Sequence, residues 1–374
     1  AETVEPLHQL QVPLHAGGGV LVHRVERRQE CAVAKRDIGH WIFLRHAGHG
    51  GFHLVAVQRE PVLDGDGLGQ VEHPQREPRG TARIDPAAIG KLHAFGTLGL
   101  RRVKQTVNFD EPSVYHLYYG DEVGKAGSVM TYFPFANMGK GGRGAGEVSE
   151  TVFAVPKGTL GFWQERLSKE GVKELGSYSL FGEDRLRFAG PDGDGFALAE
   201  VDGDSRVPFA GGPVGVSEGV HGFRGVTMRL RDEGATGELL KFMGYQPVDK
   251  QGDFVRYAVT GGNGADYIDL EVLPGASHAQ QGAGSVHHVA FAVEDRPAQL
   301  EVRKALLDTG YQVTPVIDRD YFWAIYFRTP GGVLFEVATN EPGFARDEDT
   351  AHLGEVLKLD TRKNPRAFEG VMIH

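Results

Sequence analysis

At 374 residues the chain exceeds the size at which one hydrophobic core stops growing, so two or more packing units are expected. With 40% hydrophobic and 24% charged residues, and no apolar run approaching the ~18 residues of a membrane span, the chain reads as soluble and not membrane-spanning. A net charge of −10 without a Lys/Arg cluster argues against nucleic acid as a partner, and the single cysteine, Cys31, and the missing apolar leader point to the cytoplasm.

Residues 1–94 hold eleven acidic and eleven basic residues, so all of the −10 falls in 95–374; they also hold nine of the sixteen histidines. Scattered Gly, Pro and Arg leave few sustained periods of 2 or 3.6 in this front quarter. Gly51–Val57 reads as a strand, and Asp85-Pro86 before Ala87-Ala88-Ile89 reads as an N-cap with proline opening a helix. The nine histidines fit no helical or finger spacing and read as solvated loop residues.

From residue 98 a unit recurs. Val152–Val155 precedes a helical stretch at Lys157–Glu170, Val226–Leu230 one at Ala235–Met243, and His288–Val293 one at Arg296–Leu307. After each helix comes a Gly corner (Gly171-Val172, Gly244-Tyr245, Gly310-Tyr311) and then short alternating runs such as Asp253–Val259 and Tyr267–Val272. Each unit is β-α-β-β-β. A fourth copy fits upstream, with Leu98-Gly99-Leu100 as its corner and Val114–Tyr119 and Ser128–Phe133 as later strands. Such half-open sheets cannot bury their faces alone, so they should pair into two curved layers with helices outside, an α+β fold.

Two glycine-rich stretches invite functional readings that their context denies. Gly139–Gly144 spells a dinucleotide loop, but a strand rather than a helix follows it, so it reads as a flexible connector. Asp192-Gly193-Asp194-Gly195 is too short for a calcium loop and reads as a hairpin turn.

Along Val286–Val293, alternation sets His287, Val289, Phe291 and Val293 on one face and His288, Ala290 and Ala292 on the other. Alanines flooring the face of His288 leave room for a ligand, which favours His288 as the ligating imidazole and His287 as its neighbour. In Gly331–Ala338, Glu336 shares a face with Leu334 and Ala338, opposite Val333, Phe335 and Val337, and a carboxylate in an apolar strand needs a partner or a cation. Tyr326 and Arg328 project to one side of Ala324–Arg328, with Arg319 at the mouth of that strand. By spacing, a core histidine with an edge glutamate explains these residues as well as a metal site does.

Leu98–Asp360, about 70% of the chain, resembles the vicinal oxygen chelate superfamily, and within it the hydroquinone-type ring-cleaving dioxygenases. Thr106–Pro112 and Tyr115–Asp121 look like the first module of such enzymes. His287–Val293, Asp318-Arg319, Tyr326–Glu336, Pro342–Phe344 and Asp347–Asp349 look like the last. The resemblance implies iron(II) held by two histidines and a glutamate, with His288 and Glu336 as two of the ligands. It also implies that His287, Arg319 and Tyr326 contact substrate or support the ligands, Arg319 favouring a deprotonated substrate and His287 serving as acid or base near neutral pH. The third ligand of the family is the second of two adjacent first-strand histidines. No histidine falls in Glu77–Ile84; in Gly51–Val57, His53 takes the first histidine's place and Leu54 the ligand's, with His73 a further candidate.

The expected division is an atypical segment at 1–80, a first module pair at 81–215, a second pair bearing the metal site at 216–345, and a tail at 346–374. The expected activity is iron(II)-dependent cleavage of a hydroquinone or catechol ring by dioxygen, with small aromatic substrates as partners and a homo-oligomer allowed. The alternatives are a metal-dependent isomerase or thiol transferase on the same scaffold and a catalytically impaired aromatic-binding protein.

Overall fold

Alternation of apolar and polar residues builds the strands, and 3-to-4 spacing of Leu, Trp and Val builds the helices between them. The computed structural model describes residues 96–135 and 138–360, with residue 94 and the backbone of 54–58. The first module contributes β1 (Leu54–Gln58), β2 (Arg101–Val107), β3 (Tyr115–Gly120) and β4 (Met130–Tyr132). The second contributes β5 (Glu147–Pro156), α1 (Leu160–Lys169), β6 (Lys173–Leu180), β7 (Glu183–Ala189) and β8 (Gly195–Val201). The third has β9 (Gly222–Leu230), α2 (Gly234–Phe242), β10 (Gln246–Gln251), β11 (Phe254–Ala258) and β12 (Tyr267–Val272). The fourth has β13 (His288–Val293), α3 (Arg296–Asp308), β14 (Ile317–Asp318), β15 (Phe322–Arg328) and β16 (Leu334–Pro342), and β17 (Leu357–Lys358) follows. The helix start expected at Asp85-Pro86, and His53 and His73, lie outside the described residues.

Among the described residues the strands form two sheets. One runs β14-β15-β16-β13-β1-β4-β3-β2-β17, the other β10-β11-β12-β9-β5-β8-β7-β6. Each sheet centres on an antiparallel pair of first strands, β1 with β13 and β5 with β9, and each first strand is flanked by the parallel last strand of its own module. The first module therefore shares a sheet with the fourth, and the second with the third. A division into 81–215 and 216–345 follows chain order, whereas the hydrogen bonding joins modules across it. The repeated unit makes each first strand an open edge, and antiparallel pairing of two such edges removes both.

A single core cluster draws on both sheets, with Phe153, Phe196, Phe223, Met228, Ile268, Phe291, Phe335 and Val337 among its members. Helix α3 locks the strands that carry the site. Asp295 caps its start by accepting from the Ala298 N–H at 2.9 Å, and the buried Gln299 amide donates to the carbonyls of Trp323 (2.6 Å) and Val337 (2.8 Å), one on each of β15 and β16.

The two glycine-rich stretches resolve differently. Asp192–Gly195 is the β7–β8 turn, closed by Gly190 N–H to the Asp194 carbonyl at 2.8 Å. Residues 139–144 are no free connector: Gly141 donates to Ala283 (2.9 Å) and Gly142 to Gln280 (2.8 Å). Glycine is needed for that approach, since a Cβ at Gly141 would fall 2.2 Å from Ser285 Oγ and one at Gly144 2.3 Å from the Ser277 carbonyl. As expected, a strand (β5) follows.

Candidate active site

The register of β13 against β16 sets Ala290 beside Glu336 and Ala292 beside Ala338, and β15 sets Tyr326 beside Glu336. Alternation sends Val289, Phe291, Phe335 and Val337 into the core. It leaves His288, Ala290, Ala292, Glu336 and Ala338 lining a cavity of about 560 Å³ between the first and fourth modules. His288 and Glu336 are both buried, and Glu336 Oε2 stands 2.5 Å from His288 Nε2. The two do not align as a hydrogen bond, and among the described residues Nε2 is left without one.

His287 also lines the cavity, with Nδ1 2.8 Å from Nδ1 of His288. The alternation that placed it with the core begins only at His288, where β13 starts. Burial, followed by His288, Arg328 and Arg319, pushes the His287 imidazole down to about 3, so it enters neutral rather than poised to titrate near pH 7. The Tyr326 ring meets that of His288 edge-on at 5.6 Å, and Arg319 sits 5.6 Å from the Tyr326 ring centroid. Arg319 donates to Asp110 Oδ2 at 2.7 Å, which ties the fourth module to the first across the cavity. Burial opposes the charge on Arg319, but Tyr326 and Asp110 more than offset it. Arg328 does not join them: it is exposed and donates to the Gly332 carbonyl at 2.9 Å.

Sequence reasoning missed the opposite wall. His116, Tyr118, Val129, Thr131 and Phe133 line it, with Tyr118 hydrogen-bonded to His116 Nδ1 at 2.8 Å. A signal was present in Tyr115–Gly120, where His116 and Tyr118 alternate with the apolar Leu117 and with Tyr119.

The donor chemistry of one imidazole and one carboxylate fits a divalent first-row cation, and the close approach of buried His288 Nε2 to Glu336 without an aligned hydrogen bond among the described residues is the observation that favours one. Among the described residues, no group of three His, Cys, Asp or Glu side chains stands together to complete a ligand set. The register sets Val57 of β1 beside His288 and Val55 beside Ala290. In the first module Tyr118 pairs with Thr131 and Thr131 with Val57, as Tyr326 pairs with Glu336 and Glu336 with Ala290. Position 55, not 54, is then the counterpart of His288, a one-residue shift from the alignment made on sequence. Valine offers no donor atom.

The third module fills the equivalent places with an ion pair. Arg256 pairs with Asp269 and Asp269 with Thr227, which puts Arg256 at the position of Tyr326, Asp269 at that of Glu336 and Gly225 at that of His288. Arg256 bonds Asp269 at 2.8 and 2.9 Å, and Arg185 reaches the same carboxylate at 3.2 Å.

Comparison with known proteins agrees with this architecture. The model of the Glyoxalase/Bleomycin resistance protein/Dioxygenase superfamily matches residues 221–337. MhqO of Bacillus subtilis (strain 168), which carries the name of a ring-cleaving dioxygenase, is 43% identical over 271 residues, 72% of this chain and 86% of that protein. The chlorohydroquinone/hydroquinone 1,2-dioxygenase of Sphingobium indicum is 38% identical over 275 residues, 70% of this chain and 84% of that protein. A crystal structure of a Bacillus subtilis protein named as a dioxygenase superimposes with a TM-score of 0.74 at 37% identity, covering 87% of this chain and 96% of that one. A glyoxalase I variant from Zea mays, at 15% identity and a TM-score of 0.51 over 68% of this chain and 90% of that one, shares the fold. The chain belongs to the glyoxalase/dioxygenase superfamily, the vicinal oxygen chelate proteins, alongside its ring-cleaving dioxygenases.

Proposed function

We propose that the protein is an iron(II)-dependent dioxygenase that opens the ring of a hydroquinone or catechol. The observation that carries this reading is the buried His288–Glu336 pair in a cavity otherwise floored by alanine and walled by aromatic rings. Iron(II), if bound, would supply the redox chemistry that lets a ring diol react with dioxygen. His288 and Glu336 would hold it. The apolar floor of Ala290, Ala292 and Ala338 admits the flat face of an aromatic ring and excludes water. Arg319 favours the ionised form of a phenolic oxygen, and Tyr326 donates its O–H to charge that develops on oxygen. His287 enters as a neutral hydrogen-bonding partner of His288.

The test is oxygen uptake by protein purified without air and supplied with iron(II). Hydroquinone or chlorohydroquinone should drive uptake faster than a methylglyoxal hemithioacetal is turned over. Replacing Tyr326 by Phe should slow uptake by ~10- to 1000-fold, the range for losing one oriented donor. Isomerisation of the hemithioacetal without oxygen consumption would refute this reading in favour of a glyoxalase-like enzyme. The two-donor set among the described residues favours a second reading, an aromatic-binding protein with impaired catalysis. That reading predicts binding of the diols with substoichiometric iron and no oxygen uptake.

A further inference from the structure

The cavity has a second polar group that the reaction above leaves idle. His116 lies on the wall from the first module, its ring stacked on Tyr118 with centroids 3.9 Å apart and tilted against Phe133 at 4.1 Å. The Tyr118 hydroxyl is 2.8 Å from Nδ1. Burial, foremost among its influences, pushes the Tyr118 phenol up, so the hydroxyl keeps its proton, and we assign that proton to the bond with Nδ1. The proton of the imidazole then sits on Nε2. Burial, then Arg319 and His288, push His116 well below the usual histidine range, so this N–H is the single one the ring carries. Nε2 is buried and has no hydrogen-bond partner among the described residues. A buried donor left unsatisfied costs stability that a bound acceptor restores.

His116 does not belong to the candidate metal pair, since no third His, Cys, Asp or Glu joins His288 and Glu336 among the described residues. Its place along the strand sets it apart. Tyr118 pairs with Thr131, Thr131 with Val57 and Val57 with His288, and His116 lies two residues before Tyr118, roughly 7 Å along the strand from that row. Both groups nevertheless line one cavity.

Building on the ring-cleaving reading above, we propose that His116 donates Nε2–H to the second oxygen of an aromatic diol whose first oxygen lies at His288 and Glu336. His116 thereby selects diols over monophenols. The clamp of Tyr118 and Phe133 holds the imidazole in plane for this contact.

Calorimetric titration of the full chain with hydroquinone, catechol and phenol in the absence of oxygen tests the inference. The wild-type chain should bind hydroquinone about 10-fold more tightly than phenol, the discrimination available to one neutral hydrogen bond. His116→Phe keeps the stacking but loses the donor, and should bring hydroquinone to the affinity of phenol while leaving phenol unchanged. His116→Gln, whose amide nitrogen reaches the place of Nε2, should restore part of the preference. In steady-state oxygen uptake, His116→Phe should raise KM for hydroquinone more than it lowers kcat. An unchanged hydroquinone preference in His116→Phe, or an equal loss for hydroquinone and phenol, overturns the inference and leaves the ring-cleaving reading standing. A wild-type chain that binds none of the three overturns both.

Discussion

Asp269 is the sharpest point at which to test the charge balance of the second sheet. It is buried, accepts two bonds from Arg256 and one from Arg185, and belongs to a network that also holds Glu183, Arg224 and Glu150. Three guanidiniums face three carboxyl groups, so Asp269→Asn leaves one buried positive charge without a counter-ion. Breaking one side of a buried pair costs about 3–5 kcal/mol. Removing both sides, as in Arg256→Met with Asp269→Leu, leaves Arg185 and Arg224 opposite Glu183 and Glu150. That double variant should recover most of the loss, because apolar replacement of a whole buried pair is close to neutral. Urea unfolding followed by circular dichroism, arranged as a double-mutant cycle, measures the coupling. A single variant within ~1 kcal/mol of wild type, or a double variant as unstable as the sum of the singles, would refute the assignment of Asp269 as the counter-charge of Arg256.

The remaining expectations are brief. Lys104, fully buried, donates to Asp347 at 2.8 Å and Glu348 at 2.5 Å, and so pins the segment Gly343–Thr350 that lines the cavity; Lys104→Met should lower stability by about 3 kcal/mol and speed proteolytic cleavage within 343–356. For Glu183, burial raises the carboxyl, but Arg256, Arg224 and Arg185 outweigh it and hold it down to about 2. The unfolded chain then binds more protons than the folded one. Its contribution of ~3 kcal/mol is therefore present above about pH 4.5 and lost as pH falls toward 2, and Glu183→Gln should flatten that acid limb in unfolding titrations. Iron(II) or manganese(II) should raise the thermal midpoint of the wild-type chain, by about 2.7 kcal/mol of stability at a hundred times its dissociation constant. Glu336→Gln should abolish that shift, and an undiminished shift in this variant would count against Glu336 as a ligand.

The legible parts of the site are those set by local alternation. His288 and Glu336 each interrupt a run of alternating core residues, and period 2 alone places them on the open face. His287 was misplaced because alternation was applied one residue before β13 begins. His116 escaped notice because nothing within β3 says that its face meets β13 and β16; that meeting depends on pairing between modules more than 150 residues apart in sequence. The pairing of first with fourth module was hidden for the same reason, since each module ends in an equivalent open edge and local sequence does not choose among them. Arg256 and Asp269 carried the same warning as Glu336, charged residues inside otherwise apolar strands, and could have been found by the rule that flagged Glu336.

The two sheets answer one electrostatic problem in two ways. Both place a carboxylate at the same position of a last strand, Glu336 on β16 and Asp269 on β12, buried beneath the neighbouring module. In the second sheet the counter-charge is built in: Arg256 stands across from Asp269 and fills the cup with its own side chain, between the rings of Phe181 and Tyr267 at 4.5 Å each. In the first sheet the facing residue is Tyr326, which is uncharged when protonated, and the position corresponding to Gly225 is His288. The volume that Arg256 occupies in one cup is open in the other, and the Glu336 carboxylate is left beside an imidazole instead of a guanidinium. A protein cation that cannot leave makes the second cup structural. On the reading proposed above, a carboxylate and an imidazole at the floor of an open cavity leave the first one to an exchangeable cation and a ring, and the Tyr326/Arg256 and His288/Gly225 differences separate the two.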